Sequence, residues 1–313
     1  MKVTIIGAGA VGATTAYAIL AANAASEIVL IDVNKDKAFG EALDMVQATP
    51  LLFNSKVRAG EYADAVDSDV VVISSGVGRK PGQTRLELAQ INVNILKAVS
   101  SEIVKYAPKA FYLLVANPVD VLTYAFIKFT GLPKTQVVGT GTLLDTIRLR
   151  TMLSECYKVN QSQVYANVLG EHGDSSFVSW STATIGGVPL NEYVEDITAK
   201  NVDFKSYTHE EAEEYVKKSG GTIIAKKGCT VYGIATSVMY ILKCLQGESE
   251  TVLPLSTLME GEYGIKDVCL STLALIGKNG LKSTVAQKLS DEEVKKMQAS
   301  AEALKTVISS INF

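Results

Sequence analysis

The stretch Gly7-Ala8-Gly9-Ala10-Val11-Gly12 follows the apolar run Val3 to Ile6 and leads into an apolar segment through Tyr17 and Leu20. This order constrains the fold more than any other feature of the chain. Glycines permit a tight turn, let the backbone approach a pyrophosphate and allow close helix packing, and the helix they open presents N–H donors to an anion. A lone glycine pattern is a weak signal, so its surroundings decide its meaning. Here the next apolar run, Ile28 to Ile31, delivers Asp32 20 residues beyond Gly12, where a carboxylate can accept both hydroxyls of a ribose. The plainer alternative is a glycine turn with Asp32 capping the following helix. Asp32 also disfavours a 2'-phosphate, since two anions would face each other with no arginine immediately adjacent, and the expected cofactor is NAD.

Strand-like runs then alternate with helical patterns. Val3 to Ile6, Ile28 to Ile31, Val70 to Ile73, Phe111 to Val115 and Val137 to Val138 read as strands, with helices predicted over Lys35 to Gln47 and Leu86 to Tyr106. Such alternation predicts an α/β fold with a doubly wound, Rossmann-type parallel sheet over residues 1–140. From about residue 141 the pattern changes. Phe177 to Ile185, Thr251 to Leu258 and Val268 to Ile276 read as strands of an antiparallel sheet, and Glu210 to Lys218, Val231 to Leu245 and Asp291 to Ile308 as helices. Residues 141–313 are expected to form a second, α+β domain that carries the substrate site and packs closely on the first.

The 313 residues are 47% hydrophobic, enough for a large core, and a formal net charge of -3 offers no basic field for nucleic acid or an anionic membrane. Cys156, Cys229, Cys244 and Cys269 lie far apart with no Cys-x-x-Cys pair. Neither a metal site nor a secreted disulfide framework is expected, and a cytoplasmic setting fits. The apolar opening segment, which contains Lys2, raises the alternative of a signal peptide; glycines and threonines break its centre, and the pattern through Asp32 reads better as part of a fold.

Of the two histidines, His209 falls just inside a capping box formed by Thr208 and Glu211, where an exposed helical position accounts for it. His172 stands in Gly170-Glu171-His172-Gly173-Asp174, where neither helix nor strand propensity explains it. A structural histidine is the commoner case, yet hydride transfer to a ketone needs a proton donor near neutral pH, and His172 is the candidate. Asp145 and Arg148 are three apart on a helix predicted to start near Thr142 and share one face. Taken singly, Asp145 could cap that helix with Thr142, and Arg148 could sit on a solvated face. Beside His172, the carboxylate would fix the imidazole tautomer and raise its pKa, while the guanidinium could grip a substrate carboxylate bidentately.

The segment Ser75 to Thr84 holds Gly76, Gly78, Pro81 and Gly82, and Thr84 with Glu87 predicts a capping box on the next helix. A solvated basic loop is one reading; a hinged lid that closes cations over a reacting carbonyl is the better account. Arg85 falls in the first turn of that helix, where the dipole disfavours a cation by about 0.3 to 1 kcal/mol, so something else is expected to offset it.

These motifs, in this order and over nearly the full chain, resemble the lactate/malate dehydrogenase family. The residues carrying the likeness are Gly7 to Gly12 with Asp32, Arg79-Lys80-Pro81-Gly82-Gln83-Thr84-Arg85, Asn117-Pro118-Val119-Asp120, Asp145-Thr146-Ile147-Arg148 and Gly170 to Asp174. The resemblance implies an NAD-dependent L-2-hydroxy acid dehydrogenase in which His172 exchanges the proton, Asp145 orients it, Arg148 clamps the substrate carboxylate and Arg85 polarises the carbonyl from the lid. It further implies that Asn117 binds the nicotinamide ribose and the substrate oxygen, and that Val11, Lys37, Tyr62, Gly76 and Val77 line the cofactor groove beside Gly7, Gly9, Gly12 and Asp32.

On the choice of acid the resemblance points two ways. Arg79, at the lid position facing the substrate side chain, resembles malate-type chains, where arginine meets a second carboxylate. Gly170-Glu171-His172, the run Gly228 to Ile234 with Thr230 beside the substrate side chain, and Leu122-Thr123-Tyr124 resemble the lactate branch. A cation closed unpaired over a methyl group would cost roughly 3 to 5 kcal/mol if fully buried, but an arginine on a lid can turn to water, and lactate is the expectation with malate the alternative. Arg150 matches one member of a basic pair that binds a sugar-phosphate effector in some relatives; Asn167 replaces the expected histidine and argues against such regulation. The family also implies a homo-oligomer, dimer or tetramer. A non-catalytic NAD-binding sensor would leave Asp145, Arg148 and His172 without a use and is disfavoured.

Overall fold

The computed structural model describes residues 1–53, 55–78 and 82–313. The first half runs β1 (Lys2–Ile6), α1 (Ala10–Ala21), β2 (Glu27–Ile31), α2 (Lys35–Ala48), β3 (Lys56–Ala59), β4 (Val70–Ile73), α3 (Arg85–Tyr106), β5 (Phe111–Leu114), α4 (Val119–Thr130), β6 (Val137–Gly139) and α5 (Leu143–Tyr157). The six strands are parallel, in the order β3-β2-β1-β4-β5-β6. Helices cover both faces, so the inner strands need no polar alternation, and β4 and β5 are apolar and buried at every residue. Val3 and Ile5 of β1 share a core with Ile19 and Leu20 of α1; Ile6 joins the opposite core with Val93 and Leu96 of α3 and Phe126 of α4. Because β1 pairs with both β2 and β4, strand order reverses beside it and a crevice opens at the carboxyl ends of these strands, where ligands of such sheets bind.

The second half adds β7 (Val164–Tyr165), β8 (Val168–Leu169), β9 (Phe177–Val178), β10 (Thr184–Ile185), β11 (Val188–Pro189), α6 (Leu190–Ala199), α7 (His209–Lys227), α8 (Tyr232–Gln246), β12 (Thr251–Glu260), β13 (Lys266–Gly277), β14 (Gly280–Val285) and α9 (Asp291–Ser309). The expected antiparallel strands form, but they continue the parallel sheet. β12 pairs with β6 at Ser256 and Gly139, giving one nine-stranded mixed sheet in the order β14-β13-β12-β6-β5-β4-β1-β2-β3.

Two sequence expectations fail here for local reasons. The strand over Phe177 to Ile185 is interrupted by a 3-10 turn at Trp180–Thr182, with β9 and β10 in separate small sheets. Thr182 Oγ1 donates to the Ser179 carbonyl, and Ser181 N donates to Glu293 of α9, so these polar groups are satisfied outside any ladder. The helix expected to stop at Lys218 continues through Gly220 and Gly221 to Lys227, with Ser219 and Thr222 hydroxyls bonded back to carbonyls one turn earlier.

Candidate active site

The glycine loop joins β1 to α1. Gly7 has φ 102°, a conformation L side chains rarely adopt, and a Cβ on Gly12 would lie 1.8 Å from the Gly7 carbonyl oxygen, so turn and helix meet only if position 12 has no side chain. Gly9 differs: a Cβ there would meet nothing within 4 Å. It stands at the N-terminus of α1, which has no side-chain cap and no acidic residue in its first turn, leaving the helix's positive end open to a ligand anion. Asp32 follows β2. Its Oδ2 accepts from Ala8 N at 2.7 Å and its Oδ1 from Asn34 N at 2.8 Å, which fixes the carboxylate at the rim of the crevice.

A cavity of about 570 Å³ opens there, lined by Gly7, Gly9, Asp32, Tyr62, Gly76 and Val77 of the expected groove residues. Ser75 Oγ, also at its wall, is buried without a hydrogen-bond partner among the described residues. An open anion-binding helix end, a fixed carboxylate and an unused hydroxyl fit a dinucleotide. Lys37 is not among the lining residues; its exposed side chain belongs to the first turn of α2, and Lys35, paired with Glu61 at 2.5 Å, takes the place at the cavity.

A second cavity, about 310 Å³, is lined by Val11, Asn117, Asp145, Arg148, His172 and Thr230 among others. α5 presents Asp145 and Arg148 on one face, as the three-residue spacing requires, and the turn after β8 carries His172 against them. Asp145 Oδ2 lies 2.5 Å from His172 Nδ1, and Arg148 Nη1 donates to Asp145 Oδ1 at 2.9 Å. Thr142 does not cap α5; its hydroxyl donates to the Val168 carbonyl, leaving the Asp145 carboxylate to these partners. The charge of Asp145 raises the His172 pKa to about 9, against the opposing effect of burial. Burial alone would raise Asp145, but His172 and Arg148 hold it below the usual carboxylate range.

Two further residues organise the site. Asp120, in the first turn of α4, is buried and accepts the backbone N–H of His172 at 2.7 Å. Burial pushes its carboxyl up to about 6, although Ser256 and the His172 N–H act in the other direction. Asn92 of α3 accepts from Val77 N at 2.9 Å and donates to the carbonyls of Val77 and Asn117, tying the turn after β4 to the Asn117-Pro118 turn. The sequence held a signal for Asp120, a lone carboxylate in the apolar run Val119 to Phe126. Asn92, one polar residue on a long helix, offered none.

The expected capping box at Thr84 and Glu87 starts α3. Arg85 pairs with Asp174, two residues beyond His172, at 2.6 Å, which supplies the offset its first-turn position called for. It is not among the residues lining the second cavity. Arg79, expected on the lid, lies outside the described residues.

Residues 1–139 match the family model for the lactate/malate dehydrogenase NAD binding domain, and residues 142–312 that for the lactate/malate dehydrogenase alpha/beta C-terminal domain. The chain belongs to the lactate/malate dehydrogenase family. As a member it is an NAD-dependent oxidoreductase acting on a CH–OH group. It is 42% identical over 313 residues to a protein named L-lactate dehydrogenase 1 of Clostridium acetobutylicum, covering 99% of this chain and 98% of that one. It is 41% identical over 307 residues to the L-lactate dehydrogenase of Clostridium botulinum strain Loch Maree, covering 98% and 96% respectively. Among solved structures, a minor L-lactate dehydrogenase from Enterococcus mundtii in a ligand-bound form superposes with a TM-score of 0.94 at 36% identity, covering 100% of this chain and 98% of that one. A lactate dehydrogenase from a Medee basin deep-sea metagenome library gives 0.95 at 34% identity, covering 100% and 99%.

Proposed function

We propose that the chain is an L-lactate dehydrogenase, interconverting pyruvate and L-lactate. The observation that carries this reading is the single carboxylate of Asp145 shared by His172 and Arg148; the names of relatives at 41–42% identity favour lactate over malate. Arg148 clamps the substrate carboxylate. With Nδ1 held by Asp145, Nε2 is the His172 nitrogen that passes a proton to the C2 oxygen, and Asp145 stabilises the charged ring before the transfer. When bound, NADH supplies the hydride that C2 takes up as the carbonyl π bond breaks. Arg85, once it exchanges Asp174 for the substrate, polarises that carbonyl, Asn117 holds the nicotinamide ribose and substrate oxygen, and Thr230 faces the substrate side chain. The glycine loop, Asp32, Tyr62, Gly76 and Val77 hold the dinucleotide.

The division into a cofactor half at 1–140 and a substrate half at 141–313 is supported by family matches that end at 139 and restart at 142. Assembly into a homo-oligomer is supported by the exposed apolar face of α2 and its continuation, where Phe39, Leu43 and Val46 are 61%, 45% and 40% exposed and Leu51 is 90% exposed. A cytoplasmic setting is supported by the four cysteines, which stand free of one another. The absence of effector control is supported by Arg150, whose guanidinium is engaged by the Ala166 carbonyl and Asn167 Oδ1.

The test compares NADH oxidation by the purified chain with pyruvate and with oxaloacetate at equal subsaturating concentrations. Faster turnover of pyruvate is expected. Oxaloacetate ahead by orders of magnitude would overturn the lactate assignment, and no turnover of either would overturn the dehydrogenase.

A further inference from the structure

Gly170 and Gly173, on either side of His172, are both explained by what lies against them. Gly170 has φ 87°, and a Cβ there would stand 2.8 Å from Ser300 Oγ and 3.2 Å from Ser300 Cβ of α9. A Cβ on Gly173 would stand 2.7 Å from the Glu171 carboxylate, so the Glu171 side chain folds back over its own turn. Helix α9 buries Glu293, Met297, Ser300, Ala301 and Leu304 along one face, and Ser300 is fully enclosed. The Glu171 N–H donates to Ser300 Oγ at 2.7 Å. Ser175 gives its hydroxyl hydrogen to the Glu171 carboxylate, so the 3.0 Å contact between the two serines is made by the hydroxyl hydrogen of Ser300. These bonds close a ring that leaves Glu171 through its backbone and returns to it through its side chain.

We propose that Ser300 is a positioning residue for proton transfer, acting with Glu171 and Ser175 to hold the backbone that carries His172 while Asp145 holds its ring. The inference rests on the reading of His172 as proton donor given above. Successive N–H groups of the turn donate to three separate elements: Gly170 to the Ser271 carbonyl of β13 at 3.0 Å, Glu171 to Ser300 of α9, and His172 to Asp120 of α4. Each peptide so tied loses freedom to pivot, and a pivot there would be magnified at Nε2, on the far side of the ring. Neither Ser300, Glu171 nor Ser175 lines the substrate cavity or the dinucleotide cavity, so the ring of bonds reaches the reactants through His172.

The experiment measures kcat, the KM for pyruvate and the NADH dissociation constant in the wild type, Ser300→Ala, Ser175→Ala and Glu171→Gln, with a thermal melt of each and the isotope effect of NADH deuterated at the transferred position. Ser300→Ala should lower kcat for pyruvate reduction by about 10²-fold, the cost of misplacing a reacting group by about 1 Å, while the pyruvate KM and NADH affinity stay near wild type. Its isotope effect should rise as the chemical step becomes rate-limiting. Ser175→Ala breaks the ring at a partly buried position and should show the same split even where Ser300→Ala fails to fold, whereas Glu171→Gln keeps an oxygen for the Ser175 hydroxyl and should stay close to wild type. A kcat unmoved in both alanine variants, or a loss shared equally among kcat, KM, NADH affinity and melting temperature, would overturn the positioning role and leave the dehydrogenase standing. Glu171→Gln as slow as Ser300→Ala would overturn the ring. A wild type that reduces no 2-oxo acid would overturn the reading of His172 beneath it.

Discussion

His172 Nδ1 and Asp145 Oδ2 stand 2.5 Å apart, and the same carboxylate holds Arg148 with its other oxygen, so the proposed proton donor and substrate clamp are oriented by one side chain only 9% exposed. Asp145→Asn keeps the shape and removes the charge. The His172 pKa should fall from about 9 towards its ordinary 6.5, and pyruvate reduction near neutral pH should drop by about 10²- to 10⁴-fold, the usual share of a positioned general acid. Stopped-flow turnover checks this, and a loss under tenfold would contradict it.

The two directions of the reaction should respond oppositely to pH. Reduction needs charged His172, so its kcat/KM should fall as pH rises through about 9, whereas lactate oxidation needs the neutral ring and should rise through the same range. A histidine raised in the folded state contributes stability that is complete below about pH 6.5 and lost as pH climbs through about 9, so thermal stability should decline over that window more in the wild type than in His172→Gln. Asp120, with its carboxyl near 6, should add an inflection on the acid side of the reduction profile that Asp120→Asn abolishes. Profiles falling together in both directions at high pH would contradict the assignment.

Arg85 and Asp174 form an exposed ion pair, with side chains 61% and 77% accessible, and exposed pairs contribute only about 0 to 1 kcal/mol. Arg85→Gln should leave the melting temperature nearly unchanged while lowering the rate of pyruvate reduction by about 10²- to 10³-fold, as expected for loss of one group that stabilises the developing oxyanion. Equal small effects on both would restrict Arg85 to tethering.

Gly9 and Gly12 should separate binding from folding. Gly12→Ala drives a methyl into the Gly7 carbonyl and Ser74 Oγ, 1.8 and 2.7 Å away, and should lower the melting temperature or abolish the folded protein. Gly9→Ala meets no protein atom within 4 Å, so the fold should persist while NADH affinity falls by about 1 to 3 kcal/mol of crowding against the dinucleotide. Calorimetric titration of Gly9→Ala with NADH gives the answer; unaltered affinity would place the pyrophosphate elsewhere.

What the sequence made legible follows from how local each signal is. Continuous apolar runs marked β1, β2, β4, β5 and β6, because strands covered on both faces need no polar alternation. Short edge elements such as β3 and β14, with exposed Lys56 and Lys282, carry no such run and were passed over. α4 was missed because its hydrophobic residues surround it, Val119 to Phe126 being buried without a break, so helical period is hard to tell from strand-like apolarity. The trio His172, Asp145 and Arg148 was legible as types and spacing, but the contact between α5 and the His172 turn is tertiary, as is the bond that the His172 backbone N–H donates to Asp120. Lys37 illustrates the converse: a residue can match a family position while Lys35, two places earlier, is the one that reaches the cavity.

The join between β12 and β6 at Ser256 and Gly139 makes both halves of the chain share one hydrogen-bonded slab. The glycine loop after β1 and α5, which follows β6 and carries Arg148, thereby stand on the same hydrogen-bonded framework. A bound acid is thus met by groups carried on one continuous framework, and heat should melt both halves in a single cooperative step, which calorimetry can check.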